Sequence, residues 1–189
     1  MKRIFILKSN SACLDNINVR SPASSGRFDV VLDFVLECLF DRYGPRDDVT
    51  VMAVLDGCSP TKIIEVSSST VKYKIESESE ILDLILKSQV VVKEESFEKL
   101  LCRLRREGYV IMCLHEQGTP LRSLNPRELL HEKIAFVIGD QDGFTSRDEQ
   151  ILHKTNVKFI SIGPVSYLSW FCCVYMNYVL DMYCRDYGY

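Results

Sequence analysis

The chain has 189 residues, of which 47% are hydrophobic and 26% are charged, and its formal net charge is −3. This length and apolar content predict a globular protein of one domain, residues 1–189. The small negative charge argues against a protein that coats nucleic acid by charge alone, although it allows a local basic patch. No signal peptide is readable, and the most apolar run, 165–180, is shorter than a membrane span. We therefore expect a cytoplasmic protein with no membrane segment.

Hydrophobic periodicity predicts a chain in which strands and helices alternate. The predicted strands are 3–8, 49–55, 62–66, 71–75, 109–114, 134–138 and 157–162. The predicted helices are 28–40, 78–87, 96–107, 125–130, 145–153 and 166–183. The strands at 62–66 and 71–75 are typical of a small hairpin or of edge strands, and 10–25 is typical of a polar loop. The alternation favours an α/β fold, a mostly parallel sheet flanked by helices.

The chain has eight cysteines, at positions 13, 38, 58, 102, 113, 172, 173 and 184. No two of them form a C-x-x-C pair, and most lie in apolar periodic segments. The simplest interpretation is a set of small buried hydrophobes in a reducing compartment, rather than a disulfide framework or a metal site. Two His-Glu dipeptides, at 115–116 and 131–132, begin like the zinc motif H-E-x-x-H, but neither has a histidine at the fifth position. The sequence therefore predicts no bound metal.

Two predicted strands end on a glycine, FVIG at 136–139 and ISIG at 160–163. A glycine at a strand end lets the chain turn sharply and lets a ligand approach bare backbone. Because ligands of α/β proteins bind at the carboxyl ends of strands, these turns are a candidate small-molecule site. From spacing alone, two tight turns without a ligand explain the glycines equally well. The chain has neither G-x-G-x-x-G nor G-x-x-x-x-G-K-[ST], so no dinucleotide or nucleoside triphosphate site is indicated.

The segment SSGRFD at 24–29 places Arg27 and Asp29 at the start of the predicted helix 28–40. An aspartate complements the positive end of the helix dipole, whereas an arginine is disfavoured there. Arg27 therefore suggests an anionic partner, such as a phosphate or an oxyanion. Further basic residues share one face of the predicted helix 96–107, and a solvated face is the simplest interpretation of that pattern.

Taken in order, several segments resemble the archaeal tRNA pseudouridine-54 N1-methyltransferases, which belong to the SPOUT class of RNA methyltransferases. The segments are INV at 17–19, SSGRFD at 24–29, DDVTVMAVLDG at 47–57, SFEKLL at 96–101, LHEQG at 114–118, FVIGDQDG at 136–143 and ISIGPVSYL at 160–168. The resemblance runs from residue 5 to residue 181 and rests on the order and spacing of these segments.

The resemblance implies a homodimer with a SPOUT fold, whose C-terminal part, about 109–189, is tied in a trefoil knot. It also implies tRNA as substrate and S-adenosylmethionine as cofactor, with no metal. Asp29 would accept or orient the proton on N1 of the pseudouridine, and Arg27 would stabilise charge on the neighbouring carbonyl oxygen. Cys172 would pack against the cofactor rather than act as a nucleophile. The implied cofactor-binding residues are Leu114, Ile138, Gly139, Asp140, Ser161, Ile162, Gly163, Leu168 and Cys172.

The chain departs from the family pattern at Gln141, where a histidine is common, and in the last predicted helix, which is more apolar and aromatic. These departures leave open a non-catalytic RNA-binding or dimerisation module on the same scaffold. A methyltransferase that acts on a pseudouridine of another RNA, such as rRNA, is a further alternative. A small α/β hydrolase ranks last, because the chain has no G-x-S-x-G nucleophile elbow.

Overall fold

The computed structural model describes residues 1–15 and 17–188. Asn16, which falls in the predicted loop 10–25, and Tyr189 lie outside the described residues. The strands are Lys2–Ser9 (β1), Val49–Leu55 (β2), Lys62–Ser67 (β3), Val91–Glu94 (β4), Val110–Pro120 (β5), Lys133–Gly139 (β6) and Lys158–Ser161 (β7). The α-helices are Phe28–Leu39 (α1), Glu78–Leu86 (α2), Phe97–Arg106 (α3), Ser146–Lys154 (α4) and Ser169–Tyr187 (α5). Short 3₁₀ turns occur at Pro22–Ser24, Leu121–Ser123 and Pro126–Glu128.

The strands form one sheet in the order β4-β3-β2-β1-β6-β5-β7. Strands β2, β1, β6, β5 and β7 are parallel, and β3 and β4 extend the sheet with antiparallel pairing. The prediction of a mostly parallel α/β sheet flanked by helices is confirmed. Because parallel strands end on the same edge, the segments that follow β1, β2, β5, β6 and β7 meet at the carboxyl edge of the sheet.

Helices cover both faces of the sheet. Phe5 and Leu7 of β1 belong to the core shared with α1, α2 and α5, whereas Ile4 and Ile6 belong to the core shared with α3 and α4. This burial on two faces explains why β1 and β2 are nearly continuous apolar runs. Among the described residues, no helix is long and apolar enough to cross a membrane.

The predicted strand at 71–75 is wrong. Strand β3 pairs instead with β4, which the sequence does not reveal because all four of its side chains are exposed. Val71 and Ile75 are buried residues of an irregular segment, and their apolar character resembles the pattern of a strand. The predicted helix at 125–130 is only the 3₁₀ turn Pro126–Glu128, and the last helix begins at Ser169 rather than at 166.

One pair of cysteines differs from the expectation of reduced, unpaired thiols. Cys38 of α1 and Cys173 of α5 form a disulfide in the core, with their Cα atoms 5.6 Å apart. The other six cysteines are free thiols, and two of these, Cys113 and Cys172, are buried. The expectation is therefore wrong for the pair that joins α1 to α5.

The buried side chain of Arg3 ties the first strand to the last helix. It is 3% exposed, and its Nε atom lies 3.1 Å from the Asp48 carboxylate. Its Nη1 atom lies 2.7 Å from Oδ1 of Asp181 and 3.2 Å from the amide oxygen of Asn177. Arg46 reaches the same oxygen of Asp181 at 2.7 Å. The Asp181 carboxylate therefore holds α5 against β1 and against the segment that precedes β2.

This ion pair makes stability depend on pH. Burial alone would raise the pKa of Asp181, but hydrogen bonds from Arg46 and Arg3 outweigh it and lower that pKa. The stabilisation is therefore present above the pKa of the unfolded chain, about 4, and is lost as the pH falls through the lower folded-state pKa. We expect Asp181→Asn to lower the melting temperature by several degrees near neutral pH, and the gap to wild type to close in strong acid.

Thermal unfolding followed by circular dichroism across this pH range measures the effect. Asp186→Asn is the matched control, because within residues 1–15 and 17–188 the ion-pair partner of this exposed acid is the exposed Arg185 alone, and exposed pairs contribute little. A gap between Asp181→Asn and wild type that stays constant at every pH would contradict the assignment.

Candidate functional site

A cavity of about 150 Å³ opens at the carboxyl edge of the sheet. Its walls are the ends of β5, β6 and β7, the segments that follow them and the start of α5. Both glycine-ended turns open into this cavity. The candidate residues that the structure brings together in its lining are Leu114, Ile138, Gly139, Asp140, Ser161, Ile162, Gly163 and Cys172.

Leu168 lies outside this lining. Its side chain is 65% exposed, and it occupies the N-cap position of α5. Its carbonyl oxygen accepts a hydrogen bond from the backbone N–H of Cys172 at 3.1 Å. Leu168 therefore begins the helix that carries Cys172 to the cavity.

The turn after β6 leaves no room for a side chain at Gly139. A Cβ atom there would lie 2.9 Å from the Cα of Gly143, so the opposing backbone would have to move. The Gly143 N–H donates to the carbonyl of Asp140 at 3.1 Å, which closes the turn. The hydroxyl of Ser169 donates to the carbonyl of Gly139 at 2.6 Å and joins the turn to α5.

The carboxylate of Asp140 is buried within the same turn. One of its oxygens accepts a hydrogen bond from the Asn10 N–H and the other from the Asp142 N–H, both at 3.0 Å. The side-chain amide of Asn10 also donates to the carbonyl of Gly143 at 3.0 Å. Asn10 therefore holds both ends of the turn that forms one wall of the cavity.

Lys8 lies fully buried at the end of β1, next to Asn10. Its Nζ atom is 2.5 Å from the amide oxygen of Asn10, 2.8 Å from Asp56 and 3.3 Å from Asp148. Asp148 is itself buried in the first turn of α4, where it forms a capping box with Thr145. This network connects β1, the end of β2, α4 and the Asp140 turn. In the sequence, Lys8 indicates only the polar end of a strand.

The second glycine turn is covered by an aromatic side chain. A Cβ atom on Gly163 would collide with the ring and hydroxyl of Tyr167, a movable side chain rather than backbone. The hydroxyl of Ser161 donates to the carbonyl of Gly163 at 2.7 Å and stabilises the turn. The ring of Phe171 packs on Tyr167, with centroids 5.4 Å apart. The Gly163 turn can therefore accept a larger change than the Gly139 turn.

The lining is acidic, a property that the glycine pattern does not reveal. Glu116 and Glu149 join Asp140 in the wall, whereas the described lining contains no lysine or arginine. Hydrogen bonds from its own backbone N–H and from the hydroxyl of Ser166 lower the pKa of Glu116, so this group is a carboxylate at neutral pH. Such a wall favours a cationic ligand. The lining residues without an assigned role in the sequence are His115, Glu116, Gly143, Phe144, Glu149, Val165, Ser166 and Tyr167.

The thiol of Cys172 faces the cavity in its neutral form. Burial raises the pKa of Cys172 to about 11, and the backbone hydrogen bond that lowers it has a smaller effect. Because the thiolate is the nucleophilic species, Cys172 is a packing residue near neutral pH.

Arg27 and Asp29 form an ion pair at the start of α1, outside the described lining. Nε and Nη2 of Arg27 lie 3.0 and 2.9 Å from the two oxygens of Asp29. Arg27 is the N-cap residue, with a left-handed backbone at φ 58°. The hydrogen bond to Asp29 raises the pKa of Arg27, and the charges of Asp142 and Asp140 raise it further. The anion that Arg27 contacts is therefore Asp29, and the pair is within electrostatic range of the Asp140 turn.

Comparison with known proteins places the chain in a family. The family model described as "Putative SAM-dependent RNA methyltransferase" matches residues 2–183. The chain belongs to this family. The match confirms the resemblance that the sequence segments indicate, and it covers every strand and every candidate site residue of this RNA methyltransferase.

Curated relatives are similar over most of the chain. The tRNA (pseudouridine(54)-N(1))-methyltransferase of Methanococcoides burtonii is 29% identical over 175 residues, which are 85% of each chain. That of Methanosarcina acetivorans is 31% identical over 175 residues, 85% of this chain and 81% of the relative. Among solved structures, Archaeoglobus fulgidus Nep1 bound to S-adenosylhomocysteine matches with a TM-score of 0.63 and 18% identity, over 100% of this chain and 99% of Nep1. At that identity, the likeness shows the fold alone.

The geometry of the Gly139 turn gives a direct test of the site in this RNA methyltransferase. We expect Gly139→Ala to weaken S-adenosylhomocysteine binding at least about tenfold, or 1.4 kcal/mol, because the added methyl group displaces the Gly143 backbone from the cavity wall. Isothermal titration calorimetry measures the change. Gln141→Ala, an exposed position in the same turn, is the control that should bind normally. Unchanged affinity in a folded Gly139→Ala variant would remove this turn from the site.

Proposed function

We propose that this chain is an S-adenosylmethionine-dependent tRNA methyltransferase that methylates N1 of pseudouridine 54. The observation that carries the proposal is the acidic cavity between the glycine-ended turns, in a chain of the SAM-dependent RNA methyltransferase family. The names of the curated relatives supply the substrate in this proposal. The same proposal places the protein in the cytoplasm, with tRNA.

The cavity residues fit this cofactor. Backbone at Gly139 and, once the movable Tyr167 ring leaves the turn, at Gly163 can hydrogen-bond the edge of an adenine. The apolar side chains of Leu114, Ile138 and Ile162 can sandwich its ring. The carboxylates in the wall complement a sulfonium and an ammonium group. When bound, the cofactor supplies a methyl group on a sulfonium, which is already a good leaving group. We limit the proposed contacts to the eight candidate residues that line the cavity and leave Leu168 outside them.

The chain must then prepare the nucleophile. N1 of pseudouridine is an imide-like N–H that becomes nucleophilic as it loses its proton, and the base must leave its stack to reach a buried site. We propose that Asp29 accepts or orients this proton. Arg27 fixes the orientation of the Asp29 carboxylate through their two-point contact, and its positive charge stabilises the oxygen next to N1 as negative charge develops there.

Substitution of Asp29 separates catalysis from cofactor binding. We expect Asp29→Asn to lower the rate of methyl transfer about 100-fold or more, the usual contribution of a general base, while S-adenosylhomocysteine affinity stays the same. Single-turnover kinetics and calorimetry measure the two effects. Glu37→Gln, an exposed acid farther along α1, is the control that should keep both properties. Wild-type turnover in Asp29→Asn would exclude this residue from the mechanism.

Nucleoside mass spectrometry tests the substrate. Two tRNA transcripts, one with uridine and one with pseudouridine at position 54, are incubated with the protein and S-adenosylmethionine that carries a deuterated methyl group. We expect label in N1-methylpseudouridine from the second transcript only. Label that appears only with rRNA would identify another RNA substrate. Cofactor binding with no label in any RNA would favour the non-catalytic RNA-binding module.

We also propose that residues 1–189 form a single SPOUT domain whose C-terminal part, about 109–189, is tied in a trefoil knot. The continuous sheet across all the described strands supports a single domain. The pairing of the β5 extension with β7 supports the knot: Thr119 and Pro120 pair with Ile160 and Ser161, and a Cβ atom on Gly118 would lie 2.5 Å from the backbone of Ile160. After β7 the chain returns across the sheet as α5, which contacts Gly139 and Arg3.

We propose that the protein is a homodimer that pairs through α5. Leu168, Phe171, Val174 and Tyr178 recur at helical spacing, and each side chain is at least 38% exposed. An apolar stripe of this kind on a surface helix is typical of a protein interface. We expect Val174→Glu to convert a dimer into monomers, as measured by light scattering after gel filtration. Glu37→Gln on α1 is the control, and a monomeric wild-type protein would contradict the proposal.

A further inference from the structure

A second group of chemically reactive side chains lies outside the cavity. Cys13 and Asp15 belong to the segment after β1, and Cys58 follows β2. Their two sulfur atoms and a carboxylate oxygen lie within 4.8 Å of one another. Both cysteines are partly accessible and Asp15 is exposed, so solvent ions can reach the group.

Backbone packing brings the two cysteines together. The Gly57 N–H donates to the carbonyl of Ala12 at 3.0 Å, which places the next residue of each segment, Cys58 and Cys13, side by side. A Cβ atom on Gly57 would collide with the carbonyl of Ser11, so the backbones of the two segments are in close contact. The fold therefore sets the backbone positions of Cys13 and Cys58, and rotation about χ1 positions the two sulfur atoms.

The residues after Cys13 complete the group. The backbone N–H of Asp15 donates to the sulfur of Cys13 at 3.3 Å, which folds the Asp15 side chain back toward the thiols. Lys62 lies 2.6 Å from one oxygen of the Asp15 carboxylate and leaves the other oxygen available. Two thiols and a carboxylate are typical ligands of zinc.

We propose that Cys13, Asp15 and Cys58 bind one Zn²⁺ ion, with a solvent molecule as the fourth ligand. Each thiol gives up its S–H proton to solvent and forms an S–Zn bond, so two protons leave as the ion binds. Bonds of about 2.0–2.3 Å at a tetrahedral ion place the ligand atoms within roughly 4 Å of one another. The described separation therefore requires only small side-chain rotations.

The charges around this site balance. Two thiolates and one carboxylate exceed the charge of Zn²⁺ by one negative unit, and the ammonium of Lys62 supplies one positive unit beside them. The ion would join the segment after β1 to the turn after β2. Motif spacing does not reveal this site, because its ligands come from two loops that are far apart in the sequence. The inference therefore goes against the sequence-based prediction of no metal.

Cobalt substitution tests the site with the reduced full-length chain. We expect one equivalent of Co²⁺ to produce the near-ultraviolet thiolate-to-cobalt band and the visible bands of tetrahedral cobalt, and Zn²⁺ to remove them. Cys13→Ser and Cys58→Ser should each abolish the thiolate band or halve it, and Asp15→Asn should weaken binding at least tenfold. Cys102→Ser, at an exposed free thiol elsewhere, is the control that should bind as wild type does.

A second measurement covers variants that fold poorly. Zn²⁺ should raise the melting temperature of the wild-type chain and of Cys102→Ser, but not that of Cys13→Ser. Absence of the cobalt bands in the wild type, or their persistence in a chain with both Cys13→Ser and Cys58→Ser, would overturn the proposal. Both measurements use protein without S-adenosylmethionine or RNA, so their failure leaves the proposed methyl transfer unaffected.

Discussion

The buried ammonium of Lys8 is the constraint on which the site depends. A lysine without solvent must be paired, because an uncompensated charge in the interior costs several kcal/mol. Its partners come from different parts of the chain: Asn10 after β1, Asp56 after β2 and Asp148 in α4. Through Asn10 the same contact continues to the Asp140 turn. The charge balance at the end of the central strand therefore determines the position of one wall of the cavity.

The walls of the cavity combine two properties. Its walls must present bare backbone, which requires glycine at the strand ends, and they must hold negative charge close to apolar side chains. The strand ends supply the first property through Gly139 and Gly163. Asp140 in the turn after β6, Glu116 in β5 and Glu149 in α4 supply the second. The glycine-ended turns therefore shape the site, while its charge comes from a turn, a strand and a helix.

The sequence is informative where one physical effect dominates. Continuous apolar runs predict β1, β2 and β6 because both faces of those strands are buried. The glycines predict the two turns because a Cβ atom would meet the Gly143 backbone at Gly139 and the Tyr167 side chain at Gly163. The sequence is uninformative where an apolar pattern has two possible causes, or where it is absent. Val71 and Ile75 resemble strand residues because buried loop residues are also apolar. Strand β4 has no apolar pattern because it is an exposed edge strand.

The remaining parts of the site depend on contacts between distant segments. In the sequence Lys8 is only a polar residue at a strand end, and its role follows from its contacts with Asp56 and Asp148. The acidic wall likewise depends on Glu116 and Glu149, which come from separate elements of the fold. The local hydrophobic periodicity of the sequence does not indicate such contacts between distant residues. Arg27 is a local case, because its unfavourable place at a helix start indicates an anionic partner, and Asp29 two residues later provides one within the chain.

The contact between Arg3 and Asp181 has a consequence for the order in which the fold assembles. One edge of strand β1 pairs with its near neighbour β2. Its opposite edge pairs with β6, and the buried guanidinium of Arg3 binds helix α5. The environment of β1 is thus completed only by contacts of long sequence separation, which form slowly because a long loop must close first.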